Sequence, residues 1–115
     1  MQDLEERTFQ FAVAVVQLVA RLPRTKVADV VGGQLLRAGT SVGANWQEAV
    51  ASSSQADFSY RVGVCERESR ESHYWLRLID ATVIPDDPEV VRLKGESKEL
   101  VAIFTSIGKK SKTPR

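Results

Sequence analysis

The residues best suited to chemistry in this sequence are its single cysteine, its single histidine and nearby glutamates. Glu68 and Glu71 lie between Cys65 and His73 in the chain. A di-metal centre in a helical bundle needs a Glu-x-x-His motif on two helices and two further glutamates. Arg70 occupies the position three residues before His73, so the required spacing is absent. The sequence therefore predicts no metal site and no cofactor.

Two pairs of polar residues fall within otherwise apolar helical patterns. Asn45 and Glu48 lie one turn apart on one predicted helix, and Glu68 and Glu71 lie one turn apart on the next. Buried carboxylates require cations or hydrogen bonds, because an unpaired buried charge is very costly. The four residues could form either a general acid–base cluster or a polar layer that fixes helix register. We predict the polar network and no enzymatic activity, with an enzyme that uses a buried glutamate cluster as the less favoured alternative.

Composition limits the possible classes of protein. The chain has 115 residues, enough for one domain, and its formal net charge of +1 indicates no strong field toward an acidic partner. Cys65 is the one cysteine, which excludes an intramolecular disulfide and fits a reducing compartment. Its place on an apolar helical stripe predicts a small buried hydrophobe. The N-terminus lacks a basic signal region, and the longest apolar run, residues 11–16, is too short for a membrane span. We expect a cytoplasmic protein with no membrane partner.

The elements that position these residues are helices throughout. Apolar residues recur every three or four positions over residues 3–22, from 25 or 26 to 51, from 54 to 83 and from 88 to 108. Pro23, a serine run at 52–54 and the Pro85–Pro88 segment separate them, with Ser54 and Asp87 as predicted N-caps. This pattern predicts an all-α fold, an antiparallel up-down-up-down four-helix bundle. We assign residues 1–108 to the bundle and residues 109–115 to a basic, flexible tail.

Antiparallel pairing of the second and third helices constrains the polar residues. With a turn near residue 53, Asn45 and Glu48 should face positions 58–62, and Glu68 should lie further along the bundle. Asn45 and Glu48 therefore need not meet Glu68 and Glu71 within one chain. Arginines are available nearby as counter-charges: Arg37, Arg61, Arg67 and Arg70.

A second apolar stripe beside the inner one predicts self-association. In the first helix it comprises Phe9, Val13, Val16 and Ala20, which exceeds what a single bundle needs to bury. Glycines on one face of the second helix indicate close approach of another helix or subunit. We therefore expect a homo-oligomer. The residues assigned to oligomer packing are Gly39, Gly43, Trp46 and Trp75.

Two segments carry a resemblance to a known family. GQLLRAGTSVGANWQEA (33–49) and ADFSYRVGVCERESRESHYWLRLI (56–79) resemble the four-helix-bundle proteins related to those encoded by ribosomal-RNA intervening sequences. The family pattern is roughly Q-L-x-R-A-x-x-S-x-x-x-N-x-x-E-[GA], then a Phe, then E-x-x-E-x-x-Y-W-L. The matching residues are Gln34, Leu35, Arg37, Ala38, Ser41, Asn45, Glu48, Ala49, Phe58, Glu68, Glu71, Tyr74, Trp75 and Leu76.

The resemblance implies an up-down bundle that assembles as a homopentamer. It extends to a branch that looks like the accessory variability proteins of diversity-generating retroelements, whose members bind a reverse transcriptase and associate with nucleic acid through a basic surface. That branch is strongly basic, whereas this chain is not. We expect a non-enzymatic oligomeric scaffold that acts as an accessory binding protein for RNA, DNA or a reverse transcriptase. A structural or interaction protein without nucleic-acid binding is the alternative. The expected contact residues are Arg21, Arg24, Lys26, Arg37, Arg61, Arg67, Lys109 and Lys110.

Overall fold

Four long helices form an elongated bundle, and a computed structural model describes residues 3–112 of the chain. The helices are α1 (Leu4–Ala20), α2 (Lys26–Val50), α3 (Gln55–Thr82) and α4 (Pro88–Lys112). Short connections make successive helices antiparallel, and the bundle measures 50 × 21 × 20 Å. The prediction of an all-α, up-down four-helix bundle is confirmed.

Each helix begins at a residue whose side chain accepts a hydrogen bond from a backbone N–H group of the first turn, which has no partner within the helix. The Ser54 hydroxyl accepts the N–H of Asp57 at 3.1 Å, and Asp87 Oδ1 accepts the N–H of Glu89 at 3.0 Å, with Pro88 at the first helical position. Both predicted caps are confirmed. The caps of the two remaining helices are Asp3 and Thr25.

The last helix is longer than the sequence pattern suggested. Helix α4 continues through Gly108 to Lys112, so residues 109–112 belong to the bundle and the predicted tail boundary at 109 is wrong. Contacts with the start of α3 explain the extension. The Ser59 hydroxyl donates to Ser111 Oγ at 2.9 Å, and the Gln55 amide donates to the Ser111 carbonyl at 2.8 Å. The rest of the predicted tail, residues 113–115, lies outside the described residues.

The core consists of the inner apolar stripes of all four helices. Phe104 is its largest fully buried side chain, and the Cys65 thiol is also fully buried, as predicted. Burying one such aliphatic or aromatic side chain stabilises the fold by about 1.5–3 kcal/mol, so this core supplies the main driving force for folding. Its other members include Phe11, Val15, Leu18, Leu35, Val42, Val62, Leu76, Ile79, Val90, Leu93 and Leu100.

Glycines allow α1 and α2 to pack closely within one chain. A Cβ atom at Gly39 would lie 2.9 Å from two methyl groups of Val15, and one at Gly43 would lie 3.2 Å from the Thr8 hydroxyl oxygen. These positions therefore require the smallest side chain. The close neighbour of the glycine face is α1 of the same chain, which corrects the assignment of Gly39 and Gly43 to an oligomer interface.

Helices α1 and α4 are separated by an open cleft of about 870 Å³. Ion pairs bridge it: Arg7 Nε lies 2.8 Å from a Glu96 oxygen, and Arg21 Nη2 lies 2.7 Å from Asp87 Oδ1. The hydrogen bond from Arg21 lowers the pKa of Asp87 to about 2. Ion pairs at the surface therefore bridge α1 and α4, whose backbones approach each other less closely than those of the other neighbouring helix pairs.

Candidate interaction surfaces

One arginine organises the glutamates predicted to form a polar network. Arg37 on α2 lies between the two glutamates of α3: its Nη1 is 3.3 Å from Glu68, and its Nη2 donates to Glu71. The Trp75 indole N–H also donates to Glu71, at 3.0 Å. Both carboxylates already have a cationic partner, so this arrangement fits a link between helices. It gives no support to the alternative in which they act as a general acid and base.

Asn45 belongs to a separate contact between the same two helices. Arg61 Nη1 donates to Asn45 Oδ1 at 3.0 Å, and the Asn45 amide donates to the Ser41 carbonyl at 2.9 Å. The expectation that Asn45 faces positions 58–62 is therefore confirmed. The inclusion of Glu48 in the network is wrong. Its side chain is exposed and has no polar partner among residues 3–112.

The remaining reactive groups are occupied or buried. The Cys65 thiol donates to the Val42 carbonyl at 3.6 Å, and burial raises its pKa to about 12, so it stays protonated at neutral pH. His73 Nδ1 lies 3.2 Å from both the Lys94 carbonyl and the Ser97 hydroxyl. Within the described chain, no group of three or more histidine, cysteine, aspartate or glutamate side chains is placed to hold a metal ion.

The two tryptophans have clear partners in their own chain. The Trp46 ring lies 6.1 Å from Phe58 and 5.8 Å from Phe104, centroid to centroid. Trp75 contacts Tyr74 at 5.0 Å with nearly perpendicular rings. Both tryptophans remain partly exposed. Their role in oligomer packing stays a prediction.

The eight basic residues expected to contact a partner do not form one surface in a single chain. Arg21, Arg24 and Lys26 lie near the connection between α1 and α2, whereas Lys109 and Lys110 lie near the end of α4, at the opposite end of the 50 Å bundle. Of the other three, Arg37 and Arg61 are engaged by α3 and α2. Arg67 is exposed and makes no ion pair with any residue that the structure describes.

An uncharged surface, the α1–α2 outer face, runs along the solvent side of the first two helices. Phe9 is 58% exposed, Val16 46% and Leu36 36%. Small side chains lie between these larger ones, and a shallow groove is lined by Phe9, Ala12, Thr40 and Ala44, with Glu5 and Gln47 at one end. Phe9 and Val16 belong to the second apolar stripe predicted for the first helix, so the expected surplus of exposed apolar surface is confirmed for α1. We define this face by Phe9, Ala12, Val16, Leu36, Thr40 and Ala44.

A second surface, the α3 outer face, escaped the reasoning from sequence. Tyr60 is 63% exposed and Tyr74 53%, and arginine, glycine and alanine residues lie on their side of the helix, with Glu66 at its edge. The signal was present as a repeat of three or four residues among arginines and tyrosines. We define this face by Tyr60, Gly63, Arg67, Arg70, Tyr74, Arg77 and Ala81.

Comparison with known proteins identifies the family of this bundle. The model of the 23S rRNA-intervening sequence protein family matches residues 2–106, nearly the whole chain. The chain belongs to this family. The matched region includes Arg37, Asn45, Glu68 and Glu71, so the residues that link α2 to α3 lie in the part shared with the family. The resemblance stated from two short segments is thereby confirmed, whereas the retroelement branch stays a prediction.

A solved structure supports the same assignment. The crystal structure of a protein with unknown function from the S23 ribosomal protein family of Bacteroides thetaiotaomicron VPI-5482 is 32% identical to this chain. The alignment covers 93% of this chain and 99% of that one, with a TM-score of 0.85. No curated protein matches the sequence. No helix within residues 3–112 is long and apolar enough to span a membrane.

Proposed function

We propose that this member of the intervening-sequence protein family is a non-enzymatic helical scaffold that associates with copies of itself. The observation that carries the proposal is the α1–α2 outer face, where Phe9, Val16 and Leu36 are exposed with uncharged residues between them and Glu5 lies at one end. Covering apolar surface contributes about 25 cal/mol per Å² removed from water. Small residues between Phe9 and Leu36 allow another helix to approach closely. The resemblance stated above implies a cyclic pentamer.

The scaffold would serve as an accessory binding protein for nucleic acid or for an enzyme that acts on it, such as a reverse transcriptase. Exposed basic residues distributed over the bundle support this role, and an oligomer would repeat each of them around its axis. Salt-sensitive binding to RNA or DNA is the expected behaviour. One cysteine and no disulfide fit a cytoplasmic location.

Mass in solution tests the scaffold proposal. The wild-type chain should elute, with light-scattering detection, at a multiple of its 12.7 kDa mass, five times that value for a pentamer. The double variant Phe9→Glu/Val16→Glu should be monomeric, because each copy would have to bury unpaired carboxylates on association. Gln17→Glu, on an exposed position of the same helix that faces the α1–α4 cleft, should leave the mass unchanged. A wild-type chain that remains at 12.7 kDa at high concentration would contradict the proposal.

A further inference from the structure

We propose that the α3 outer face binds single-stranded nucleic acid, with bases stacked on Tyr60 and Tyr74 and phosphates held by Arg67, Arg70 and Arg77. The inference rests on the accessory binding role proposed above and adds its location and the form of nucleic acid that it recognises. The residues expected from the sequence to contact a partner did not include Tyr60, Tyr74, Arg70 or Arg77.

The spacing of these residues gives one continuous surface. Between Tyr60 and Arg77 the members of the face follow one another at intervals of three or four residues, so all lie on one side of the helix. The distance spanned is about 25 Å at 1.5 Å per residue. A surface of this length can contact several consecutive nucleotides of an extended strand.

The charge on this side of the bundle is positive. Arg67 and Arg77 make no ion pair with a described residue, and Arg70 is 2.9 Å from its one acidic partner, Glu66. On the adjacent helix α4, Lys109 lines a groove beside Gly63 and Glu66. Excess positive charge of this kind favours a polyanion, because each phosphate contact releases a bound counterion.

Tyr60 is held in place through a residue anchored on α2. The Arg61 guanidinium lies 5.7 Å from the centre of the Tyr60 ring, and the same arginine donates to Asn45. The ring therefore has a cation near it while more than half of the side chain stays exposed. The Asn45 contact thus helps to place a cation beside a surface aromatic ring.

Tyr74 also has a neighbouring side chain that is linked to α2. Its ring meets Trp75 at 5.0 Å and an interplanar angle of 77°, and Trp75 is hydrogen-bonded to Glu71, the partner of Arg37. Both exposed tyrosines are thus backed by a side chain that is tied to α2. A ring that is already oriented loses less conformational entropy when a base stacks on it.

A single strand fits this surface better than a duplex or an acidic protein. Stacking on a tyrosine requires an exposed base face, which a single strand offers and a base-paired duplex hides. An acidic protein segment would use the arginines but would gain nothing specific from the two oriented rings. Aromatic rings alternating with cations are the usual means by which proteins hold single strands without sequence preference.

Fluorescence anisotropy with a labelled oligouridylate of roughly 12 nucleotides tests the inference, using the full chain at low salt. Tyr60→Leu/Tyr74→Leu should weaken binding about tenfold or more while leaving the salt dependence unchanged. Arg67→Gln/Arg70→Gln/Arg77→Gln should also weaken binding, and should reduce the slope of log K against log salt by about 2. Tyr74→Phe and the corresponding triple lysine variant are matched controls that should bind nearly as well as wild type. Circular dichroism and solution mass confirm that each variant is folded and assembled.

The outcomes separate this inference from the proposed function. If wild type binds the oligouridylate and the tyrosine and arginine variants bind equally well, the α3 outer face is not the site, although nucleic-acid binding stands. Two results would refute base stacking on Tyr60 and Tyr74. One is duplex RNA that binds as tightly as the single strand. The other is polyglutamate that displaces the oligouridylate at equal charge. Failure of wild type to bind any nucleic acid overturns both this inference and the accessory role, whereas the scaffold is judged separately by its mass.

Discussion

The two outer faces of this bundle are built on the same helical repeat but differ in what they expose. The α1–α2 outer face presents Phe9, Val16 and Leu36 with small residues between them and no charge. The α3 outer face presents Tyr60 and Tyr74 with arginines between them. Removing the first from water is favourable, whereas removing the second leaves guanidinium groups that need anionic partners.

Under the two proposals made above, this difference would let one small fold combine two kinds of contact. Copies of the chain can dehydrate the uncharged face on association, while the charged face stays in solvent and remains available to a polyanion. The polar contacts behind the α3 outer face, Arg61 with Asn45 and Arg37 with Glu71, anchor to α2 the side chains that neighbour its rings. The seam behind the α1–α2 outer face is instead closed by glycine against α1 side chains. The two faces should therefore respond differently to mutation, acid and salt.

The largest expected effect comes from Gly39, beneath the α1–α2 outer face. Gly39→Val should destabilise the fold by about 2–3 kcal/mol, because its side chain would overlap Val15, and should weaken self-association as α1 shifts. Urea unfolding measures the first effect and light scattering the second. Gly95→Ala is the control: nothing lies within 4 Å of its added methyl, so it should stabilise the fold by up to about 1 kcal/mol. Equal effects at both positions would contradict this account of the seam.

A smaller effect is expected from the link behind the α3 outer face. Arg37→Gln should lower the unfolding free energy by about 1 kcal/mol, because Glu68, only 12% exposed, loses its ion pair across two helices. Arg92→Gln breaks an ion pair with Glu89 within a single turn at the surface, and should change stability by much less. Urea titration of both variants gives the comparison. An Arg37→Gln chain as stable as wild type would show that the contacts of Arg37 with Glu68 and Glu71 do not stabilise the fold.

Acid should break the ion pair between Arg21 and Asp87 at the cleft between α1 and α4. Arg21 lowers the pKa of Asp87 to about 2 in the folded chain, well below its value of about 3.9 when unfolded. The contribution of this pair is therefore complete above about pH 4 and is lost as the pH falls toward 2. Arg21→Gln should reduce the decline in unfolding free energy over this window, measured by urea titration at several pH values. The unfolding free energy of Arg24→Gln should fall with pH as that of wild type does. The same fall in Arg21→Gln would show that the Arg21–Asp87 pair is not responsible.

Salt should affect the two faces differently, and the smallest expected change is in self-association through the α1–α2 outer face. The solution mass should stay nearly constant as ionic strength rises, because the side chains that define the α1–α2 outer face are uncharged. Binding of an oligouridylate should decrease over the same range. Light scattering and anisotropy on one sample series measure both. Dissociation of the oligomer by salt would show that ion pairs, and not the apolar strip, hold copies together.

Much of the fold was predictable because local rules act strongly here. Ser54 and Asp57 predicted the start of α3, and the inner stripes predicted the core. The end of α4 was not predictable: Gly108 resembles a helix terminus, but Gln55 and Ser59 hold the following turn through contacts that are distant in sequence. A local pattern cannot reveal a hydrogen bond between residues more than fifty positions apart.

The candidate surfaces were only partly predictable. Counting residues from the turn placed Asn45 opposite Arg61, because antiparallel helices of regular rise keep register. The same counting could not show that Glu48 points to solvent, since a difference of one position rotates a side chain by about 100°. The glycine face predicted a close neighbour without indicating whether it was α1 or another copy. The α3 outer face was missed because its arginines were considered as a pool of charge, without regard to which side of the helix they share.

The burial of Cys65 makes the protein a convenient object for folding experiments. The chain contains no other thiol, and this one lies between α2 and α3 with its hydrogen bonded to the Val42 carbonyl. A thiol-specific reagent can therefore react only when that seam opens, and its rate of modification reports the opening equilibrium directly. The same reaction, followed with and without an oligonucleotide, would reveal whether a ligand on the surface of α3 reduces local opening between α2 and α3.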